Sequence, residues 1–524
     1  MQARFDSARF DSSPAVKLDE LFPEGRWLSR SGKPIRRFST DPAKCEPGSL
    51  YVALMSADGD GHESAAEAIE NGAAAIMVER LLPIAAPQFL VPDTRRAYGK
   101  LCKALQPKMA EKVCMIGITG ALGKTSVATL LAAVLRQCKV NAGVLTSGAA
   151  GLPTWSDGFA GALSESLEAF VEEGCTHAVV EIPEAAVADG GLAGVEFDAM
   201  LVTNLLADHS GTFGSIIAYR KAVSRALSNV KSTGFAILNA DDKGTEIARE
   251  NNACPALLHG LGPDADIQAK LLSRTVGEQA FLIQAGRESA AVTLRIPGDD
   301  IIRHCMAVAS TCLVLGFTLA EIVRGLESVT RIPGYLDRVV CGQPFSVFVD
   351  SSKTPEALAA SLKAIQSETQ GRVICVYGAP GEEMQTARPL LGRAAERNSD
   401  LSVITATNPR GEAALEVAHD IIDGLAKPAA ARVMPDRRRA IEWAIEQAQP
   451  GDAILIAGRG METRFETEFG DDVFSDHELV EQLLRGESAS FDDDEPRIIP
   501  FPGVRKDTSE KPRLFAYGVE FSNN

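Results

Sequence analysis

The chain has 524 residues, of which 45% are hydrophobic and 23% charged, as in ordinary soluble globular proteins, so a fibre or a disordered bulk is excluded. At roughly 150 residues per domain, this length predicts three or four domains. The formal net charge of −17 offers no general attraction to nucleic acid or to an anionic membrane, so any phosphate binding must be local. We therefore expect no nucleic-acid partner.

Two features that the sequence lacks bear on where in the cell the protein acts. The ten cysteines form no CxxC pair, which argues against a zinc framework or a disulfide scaffold and favours reduced thiols. The first thirty residues lack a signal pattern, and no apolar run approaches the roughly 18 residues of a membrane span. We expect a cytoplasmic protein without membrane insertion, acting as a monomer.

Three blocks of elements follow one another along the chain. In residues 1–108, the runs GSLYVALM and AAIMVE predict strands and ESAAEAIENG predicts a short helix. Residues 109–332 contain the strongly apolar runs VCMIGIT, HAVVEI, AMLVTNL and FAILNA, which alternate with helical segments. Near-continuous apolar strands alternating with helices predict a parallel sheet covered on both faces.

The third block repeats this pattern on a smaller scale. Residues 333–485 contain VFVD, VICVYG, SVITAT and AILIAG, each followed by a helical segment, which predicts a Rossmann-like α/β domain. Residues 486–524 are rich in proline, serine and charge, and we expect a disordered tail there. The predicted fold class is α/β throughout.

The most informative stretch is MIGITGALGKTS, at residues 115–126. Glycines let backbone N–H groups close around phosphate oxygens, and the start of the following helix favours an anion. Lys124 would reach the terminal phosphates, and the Thr125 hydroxyl would bind Mg²⁺. Ile118 stands where the strict GxxxxGK[ST] pattern has its first glycine, so a glycine-rich turn with a chance lysine is the alternative.

This GxTGxxGKT loop resembles the nucleotide loop of the Mur ligase family, especially the members that add the third peptide residue. Further motifs of the family follow in order over residues 36–480, among them AILNADD, VFVDSSKTPEAL, ITATNPRGE, AGRGMET and FSDHE. The resemblance implies a three-domain enzyme of peptidoglycan precursor synthesis, with a central P-loop domain that binds ATP. The N-terminal domain would bind a UDP-sugar peptide, and the C-terminal domain would close over an amino acid. ATP would phosphorylate the peptide carboxylate, and the amino group would attack the acyl phosphate.

The resemblance also assigns roles to individual residues. It gives Lys124, Glu181, Asn204 and His209 to catalysis, and Thr125, Glu181 and His209 to the Mg²⁺ site. The residues assigned to ATP are Gly117, Thr119, Gly120, Gly123, Lys124, Thr125, Ser126, Asn239, His304 and Asp350. Those assigned to the amino-acid substrate, which is diaminopimelate-like, are Arg388, Asn408, Arg410, Gly458 and Glu462. Independently, a carboxylate and an imidazole at the ends of adjacent parallel strands are well placed to hold a metal.

Several positions depart from the family pattern. Val223 replaces a lysine that becomes carbamylated and helps to bind Mg²⁺, and Lys221 would lie on another face of the helix. Glu383 replaces an arginine that binds the substrate carboxylate, which reverses the charge at that position. Two hypotheses therefore stay open: an ATP-dependent amide ligase, or a catalytically impaired relative with a binding or regulatory role. A plain P-loop kinase or GTPase is a third, without support from the C-terminal motifs.

Overall fold

The computed structural model describes residues 16–29, 35–56, 59–105, 110–146, 159–188, 191–205, 213–250, 254–275, 277–382, 384–467 and 470–486. The chain divides into two compact units, Met1–Ile332 and Pro333–Asn524. The predicted tail, residues 486–524, falls almost wholly outside the described residues. None of the described helices is long and apolar enough to cross a membrane.

The N-terminal part of the first unit is built on a five-stranded sheet in the order β1-β7-β6-β3-β2, in which only β1 is antiparallel to its neighbour. Strands β3 and β6, inside this sheet, are buried along their whole length, as their apolar sequences predict. The elements are α1 Leu18–Leu21, β1 Arg26–Trp27, β2 Arg37–Ser39, β3 Ser49–Val52, β4 Met55–Ser56, β5 Gly59–Asp60, α2 Ala65–Glu70, β6 Ala75–Val78, β7 Gln88–Leu90 and α3 Thr94–Leu105.

The second sheet of this unit has nine strands in the order β16-β15-β14-β13-β12-β11-β8-β10-β9. The strands from β9 to β14 in this order run parallel, and β15 and β16 continue the sheet as an antiparallel ribbon. The strands are β8 Cys114–Thr119, β9 Ala142–Leu145, β10 His177–Glu181, β11 Phe197–Val202, β12 Val230–Asn239, β13 Ala256–Gly260, β14 Ile267–Thr275, β15 Glu278–Ala285 and β16 Glu288–Leu294. The helices are α4 Lys124–Gln137, α5 Phe159–Glu172, α6 Glu184–Ala188, α7 Ile216–Ala226, α8 Thr245–Glu250, α9 Asp299–Val314 and α10 Leu319–Glu327.

The second unit contains a six-stranded sheet in the order β17-β18-β22-β19-β20-β21, parallel except for the edge strand β17. A separate two-stranded hairpin, β23–β24, follows β22. The strands are β17 Asp337–Val339, β18 Ser346–Asp350, β19 Val373–Tyr377, β20 Leu401–Ile404, β21 Arg432–Val433, β22 Ala453–Ala457, β23 Arg464–Thr467 and β24 Gly470–Val473. The helices are α11 Pro355–Gln366, α12 Arg388–Asn398, α13 Ala414–Ile422, α14 Arg437–Gln447 and α15 Asp476–Leu484.

The architecture confirms the predicted α/β class with parallel sheets. The apolar runs that predict strands in the central block coincide with β8, β10, β11 and the end of β12, because both faces of these strands are covered and favour continuous apolar sequence. Parallel strands bring their carboxyl ends to one edge of a sheet, where ligands of α/β proteins bind. Most of the candidate residues lie at the ends of β8, β10, β11, β12, β18, β20 and β22 or just after them, whereas His304 lies on α9 and Arg388 on α12.

Candidate active site

The phosphate loop is the turn between β8 and α4. Gly120 and Gly123 both have positive φ angles, 123° and 82°, which residues with a side chain rarely adopt. A Cβ atom on Gly120 would also lie 2.3 Å from Thr203 Oγ1, and one on Gly123 would lie 2.0 Å from His304 Nε2. Glycine is therefore required twice over, by backbone conformation and by space, as expected for a loop that closes on a ligand.

Gly117 has a different role. It lies inside β8, where a Cβ atom would come within 2.9 Å of the Ile182 and Phe197 side chains. Packing between the strand and its neighbours therefore explains this glycine, and a nucleotide contact for it stays a prediction. Thr119 ends β8, and its carbonyl oxygen accepts a hydrogen bond of 2.9 Å from the Thr203 N–H.

Lys124 and Thr125 open α4 and meet two glutamates. The Lys124 ammonium donates to the Gly120 carbonyl oxygen at 2.8 Å and forms an ion pair with Glu184. The Thr125 hydroxyl donates to Glu181 Oε2 at 2.9 Å. Glu181 ends β10, and β10 pairs with β8 in parallel register, which brings the carboxylate beside the loop. Ser126 is buried in the first turn of α4.

Asn204 fixes the shape of this loop. Its amide nitrogen donates to the Leu122 carbonyl oxygen at 2.9 Å, and its amide oxygen accepts from the Leu122 N–H at 3.3 Å. Asn239, at the end of β12, is buried, and its amide reaches the Thr203 carbonyl oxygen at 3.4 Å. Both asparagines stand at the carboxyl ends of strands next to the loop, and the contacts of Asn204 are those of a positioning residue.

Two buried histidines interact electrostatically, and one of them contacts the loop. His304, on α9, packs against Gly123, and burial lowers the pKa of its imidazole to about 4. His259, on β13, is also buried, and burial lowers its pKa to about 3. Neither ring nitrogen of His259 has a hydrogen-bond partner among the described residues. The sequence offered no signal for His259, because a lone histidine in a strand carries no motif.

The predicted Mg²⁺ ligands can be placed only in part. The Thr125 hydroxyl and the Glu181 carboxylate meet at the loop, and oxygen atoms of these types suit Mg²⁺. His209, the third predicted ligand, lies outside the described residues. Among the described residues, no three His, Cys, Asp or Glu side chains form a group that could hold a metal.

Val223, which stands where the family has a lysine, lies in an apolar environment. Val223 is fully buried in the core cluster that also contains Tyr219, one turn earlier on α7. Lys221 is exposed, as expected for the opposite face of this helix. Nothing in these contacts gives α7 an anionic group at position 223 to replace a carbamylated lysine.

A second polar cluster lies at the carboxyl ends of β18, β20 and β22. Asn408 donates to Glu462 Oε2 at 2.7 Å, and Glu462 forms an ion pair with Lys353. Arg410 pairs with Glu466 at 3.0 Å. Asn408 and Arg410 have positive φ angles of 45° and 54°, an uncommon conformation that often marks functional loops. The predicted residues Asn408, Arg410 and Glu462 are thus found in one cluster, together with two partners that the sequence did not reveal.

Asp350, which ends β18, and Gly458, which follows β22, are joined by a backbone hydrogen bond. Gly458 has a φ angle of 109°, and its N–H donates to the Asp350 carbonyl oxygen at 2.9 Å. The Asp350 carboxylate is buried, which raises its pKa, and it accepts hydrogen bonds from the Leu336 and Ser352 N–H groups at 2.7 and 2.9 Å. These contacts give Asp350 a role in holding the segment that begins the second unit, and its assignment to ATP stays a prediction.

Arg388, which the resemblance assigns to the substrate, meets carboxylates of its own unit. Its guanidinium is 1% exposed and pairs with Glu412 at 2.7 Å and Asp420 at 2.9 Å. The hydrogen bonds from Arg388 lower the pKa of Glu412 to about 2. These two ion pairs give Arg388 a structural role within its unit, and its assignment to the substrate stays a prediction. Glu383, predicted to oppose the substrate, lies outside the described residues.

A buried triad that the sequence analysis missed holds the loop after β22. Asp476 receives hydrogen bonds from Arg437 at 2.8 and 3.0 Å and from Arg459 at 3.0 Å, and all three side chains are buried. Arg459 also donates to the Glu462 carbonyl oxygen at 3.1 Å. The triad thereby fixes the backbone that carries Glu462. The glycines flanking Arg459 were the visible signal, but its partners lie too far away in sequence to be inferred.

Two family models match the chain, one across the phosphate loop and one across the part of the second unit that includes Lys353, Asn408 and Arg410. The Mur ligase middle domain matches residues 118–312, and the Mur ligase, glutamate ligase domain matches residues 336–460. The chain belongs to the Mur ligase family.

Its relatives carry a more specific name. A UDP-N-acetylmuramoyl-L-alanyl-D-glutamate--2,6-diaminopimelate ligase of Geobacillus thermodenitrificans is 32% identical over 488 residues, which cover 90% of this chain and 99% of the relative. The ligase of the same name from Gloeobacter violaceus is 32% identical over 470 residues, covering 86% of this chain and 94% of the relative. A solved structure of a ligase with this name is 25% identical and has a TM-score of 0.62. The match covers 91% of this chain and all of the solved chain.

Proposed function

We propose that this protein is an ATP-dependent amide ligase that adds a diaminopimelate-like amino acid to UDP-N-acetylmuramoyl-L-alanyl-D-glutamate in the synthesis of peptidoglycan precursors. The observation that carries the proposal is the complete phosphate loop, with Lys124 and Thr125 beside Glu181, in a chain similar over 90% of its length to ligases of that name. This similarity over the whole length favours ligation over the alternative of a non-ligating relative.

The nucleotide end is supported by local geometry. The glycines give the loop the backbone conformation of a turn into α4, and a helix start with backbone N–H groups and a lysine suits an anion such as phosphate. In the proposed complex Lys124 binds the terminal phosphates, and Asn204 keeps the loop in the conformation that receives them. His304 packs against Gly123, and we assign it to the ATP site on that ground.

Mg²⁺ fits the proposed reaction. Thr125 and Glu181 would hold it, with His209 as the predicted third ligand. When bound, Mg²⁺ would neutralise charge on the transferring phosphoryl group.

The proposed reaction has two steps. A carboxylate oxygen of the sugar peptide attacks the γ-phosphorus of ATP, ADP leaves, and an acyl phosphate forms. The amino group of the incoming amino acid then attacks the acyl carbon, an amide forms, and inorganic phosphate leaves with the former carboxylate oxygen. Lys124 stabilises negative charge on the phosphates during the first step.

We assign the binding of the incoming amino acid to the second cluster. Arg410 is about one third exposed and offers a guanidinium to a substrate carboxylate, a pairing that is strong when bidentate. Glu462 and Asn408 offer a carboxylate and an amide to the other polar groups of the ligand. Lys353 pairs with Glu462 and so sets how much negative charge this end presents.

The remaining assignments complete the proposal. We assign residues 1–108 to the UDP-sugar end, 109–332 to ATP and 333–485 to the amino acid, followed by the tail at 486–524. We further propose that the protein acts in the cytoplasm as a monomer.

The proposed activity is tested by identifying the reaction product. Purified protein is mixed with ATP, Mg²⁺, UDP-N-acetylmuramoyl-L-alanyl-D-glutamate and a panel of amino acids, and the products are analysed by mass spectrometry. We expect an ATP-dependent product whose mass equals sugar peptide plus amino acid minus water, with diaminopimelate giving the most. ATP binding without any such product across the panel would contradict the proposal in favour of the non-ligating alternative.

A further inference from the structure

The ammonium of Lys124 is already engaged in this structure. It donates to the carbonyl oxygens of Gly120 at 2.8 Å and Ala121 at 3.4 Å, and it forms an ion pair with Glu184. The side chains of Lys124 and Glu184 are only 10% and 25% exposed, so water screens their attraction weakly. The two loop carbonyls and one carboxylate thus surround the group that the phosphates require.

Glu184 is held in this position by the fold. It is the first residue of α6, three residues after Glu181 ends β10, and β10 lies directly beside β8, which leads into the loop. The short connection places the carboxylate beside the Lys124 ammonium. The charge of Glu184 also contributes, after burial, to the raised pKa of the Tyr219 hydroxyl on α7.

A carboxylate and a phosphate compete for one ammonium. Both offer anionic oxygens to the same three N–H donors, and the two anions repel each other in a partly buried site. A nucleotide that binds through Lys124 must therefore displace Glu184 or share the ammonium with it. Either event lowers the net gain from phosphate binding.

We propose that Glu184 is an intramolecular counter-ion of Lys124 that competes with the nucleotide phosphates and thereby sets the affinity of the loop for ATP. The proposal rests on the nucleotide function proposed above. It makes Glu184 a determinant of affinity that acts through Lys124, rather than a group that touches the reacting atoms. It also predicts that neutralising this one glutamate improves binding, whereas loss of a residue that binds nucleotide or metal would weaken it.

The experiment measures the binding of ATP, with Mg²⁺ present, to the full chain by calorimetry. The variant Glu184→Gln keeps the shape of the side chain and removes its charge, and Glu184→Ala is a second neutral variant in case glutamine disturbs the fold. The matched control is Glu196→Gln, which removes the same charge from an exposed ion pair with Lys103 in the same unit. A fourth protein combines Glu184→Gln with Lys124→Ala.

We expect Glu184→Gln to tighten ATP binding at least tenfold, equivalent to about 1.4 kcal/mol, while Glu196→Gln leaves it unchanged. Because the effect acts through Lys124, Glu184→Gln should give no gain in the Lys124→Ala background. Unchanged or weaker binding by both neutral variants, with wild-type binding intact, would overturn this inference alone. Absence of ATP binding by wild type and by both neutral variants would overturn the nucleotide function and this inference with it.

Discussion

Acid should destabilise the first unit through His259. The imidazole is buried without a hydrogen-bond partner among the described residues, and burial lowers its pKa from 6.5 to about 3. Between about pH 6.5 and pH 3, His259 is therefore mostly protonated in the unfolded chain and mostly neutral in the folded protein. Stability must fall as the pH falls from about 6.5 toward 3, because the unfolded state binds more protons throughout this range.

The magnitude between pH 7 and pH 5 depends almost entirely on the unfolded pKa of 6.5, since the folded pKa lies well below 5. Proton linkage then gives a loss of about 2 kcal/mol for His259. His304, whose pKa burial lowers to about 4, adds a loss of similar size, so the pair should cost about 4 kcal/mol. The nearby Asp241 and Arg303 change the pKa of His259 in opposite directions and leave burial dominant.

The assay is hydrogen exchange, read by mass spectrometry in peptides from β13 and α9 at pH 5, 6 and 7 and corrected for intrinsic exchange rates. His259→Leu should reduce the loss of opening free energy between pH 7 and pH 5 by about 2 kcal/mol, and at pH 7 it should be neutral or stabilising, because it removes an unsatisfied buried polar group. The control His419→Leu, at an exposed histidine of the second unit, should leave the loss at its wild-type size. An equal loss in wild type and His259→Leu would refute the reasoning.

Three other substitutions have defined outcomes. Lys124→Ala removes a charged donor to the phosphates and should weaken ATP binding by roughly 1.5–3 kcal/mol, about 10- to 150-fold in a calorimetric titration; equal affinity would contradict the role of the loop. Arg388→Met should destabilise the second unit near the lower end of the roughly 3–5 kcal/mol typical of breaking a buried ion pair, because Asp420 is half exposed. In urea titrations, an unchanged unfolding midpoint would show that this pair is not structural. Val223→Lys places an ammonium in an apolar cluster and should lower the free energy of unfolding of the first unit by roughly 3–5 kcal/mol; an unchanged urea midpoint would contradict this.

The phosphate loop could be predicted from the sequence because its determinants are local. A buried strand, glycines at two positions of positive φ and a Lys-Thr pair at the helix start lie within twelve residues. The parallel sheets could be predicted for a similar reason, since burial on both faces leaves its mark on each strand separately. Asn408, Arg410 and Glu462 were found through the family resemblance, and the structure brings them together.

The pairing of charges could not be predicted. Lys124 and Glu184 are 60 residues apart, and Lys353 and Glu462 are 109 apart, so only the fold reveals that each lysine faces a glutamate. The ion pairs of Arg388 could not be predicted either. A motif cannot distinguish an arginine that faces a substrate from one that is neutralised by Glu412 of its own unit, because both need a carboxylate at the same distance.

The most direct test of the central claim follows an oxygen atom. Both carboxylates of the glutamate in UDP-N-acetylmuramoyl-L-alanyl-D-glutamate are labelled with ¹⁸O on all their oxygens, and the protein is supplied with ATP, Mg²⁺ and diaminopimelate. If an acyl phosphate forms and an amine displaces it, each released phosphate carries one ¹⁸O and the new amide keeps the other. Phosphate released without ¹⁸O would mean that ATP is hydrolysed by water, and it would contradict ligation through an acyl phosphate.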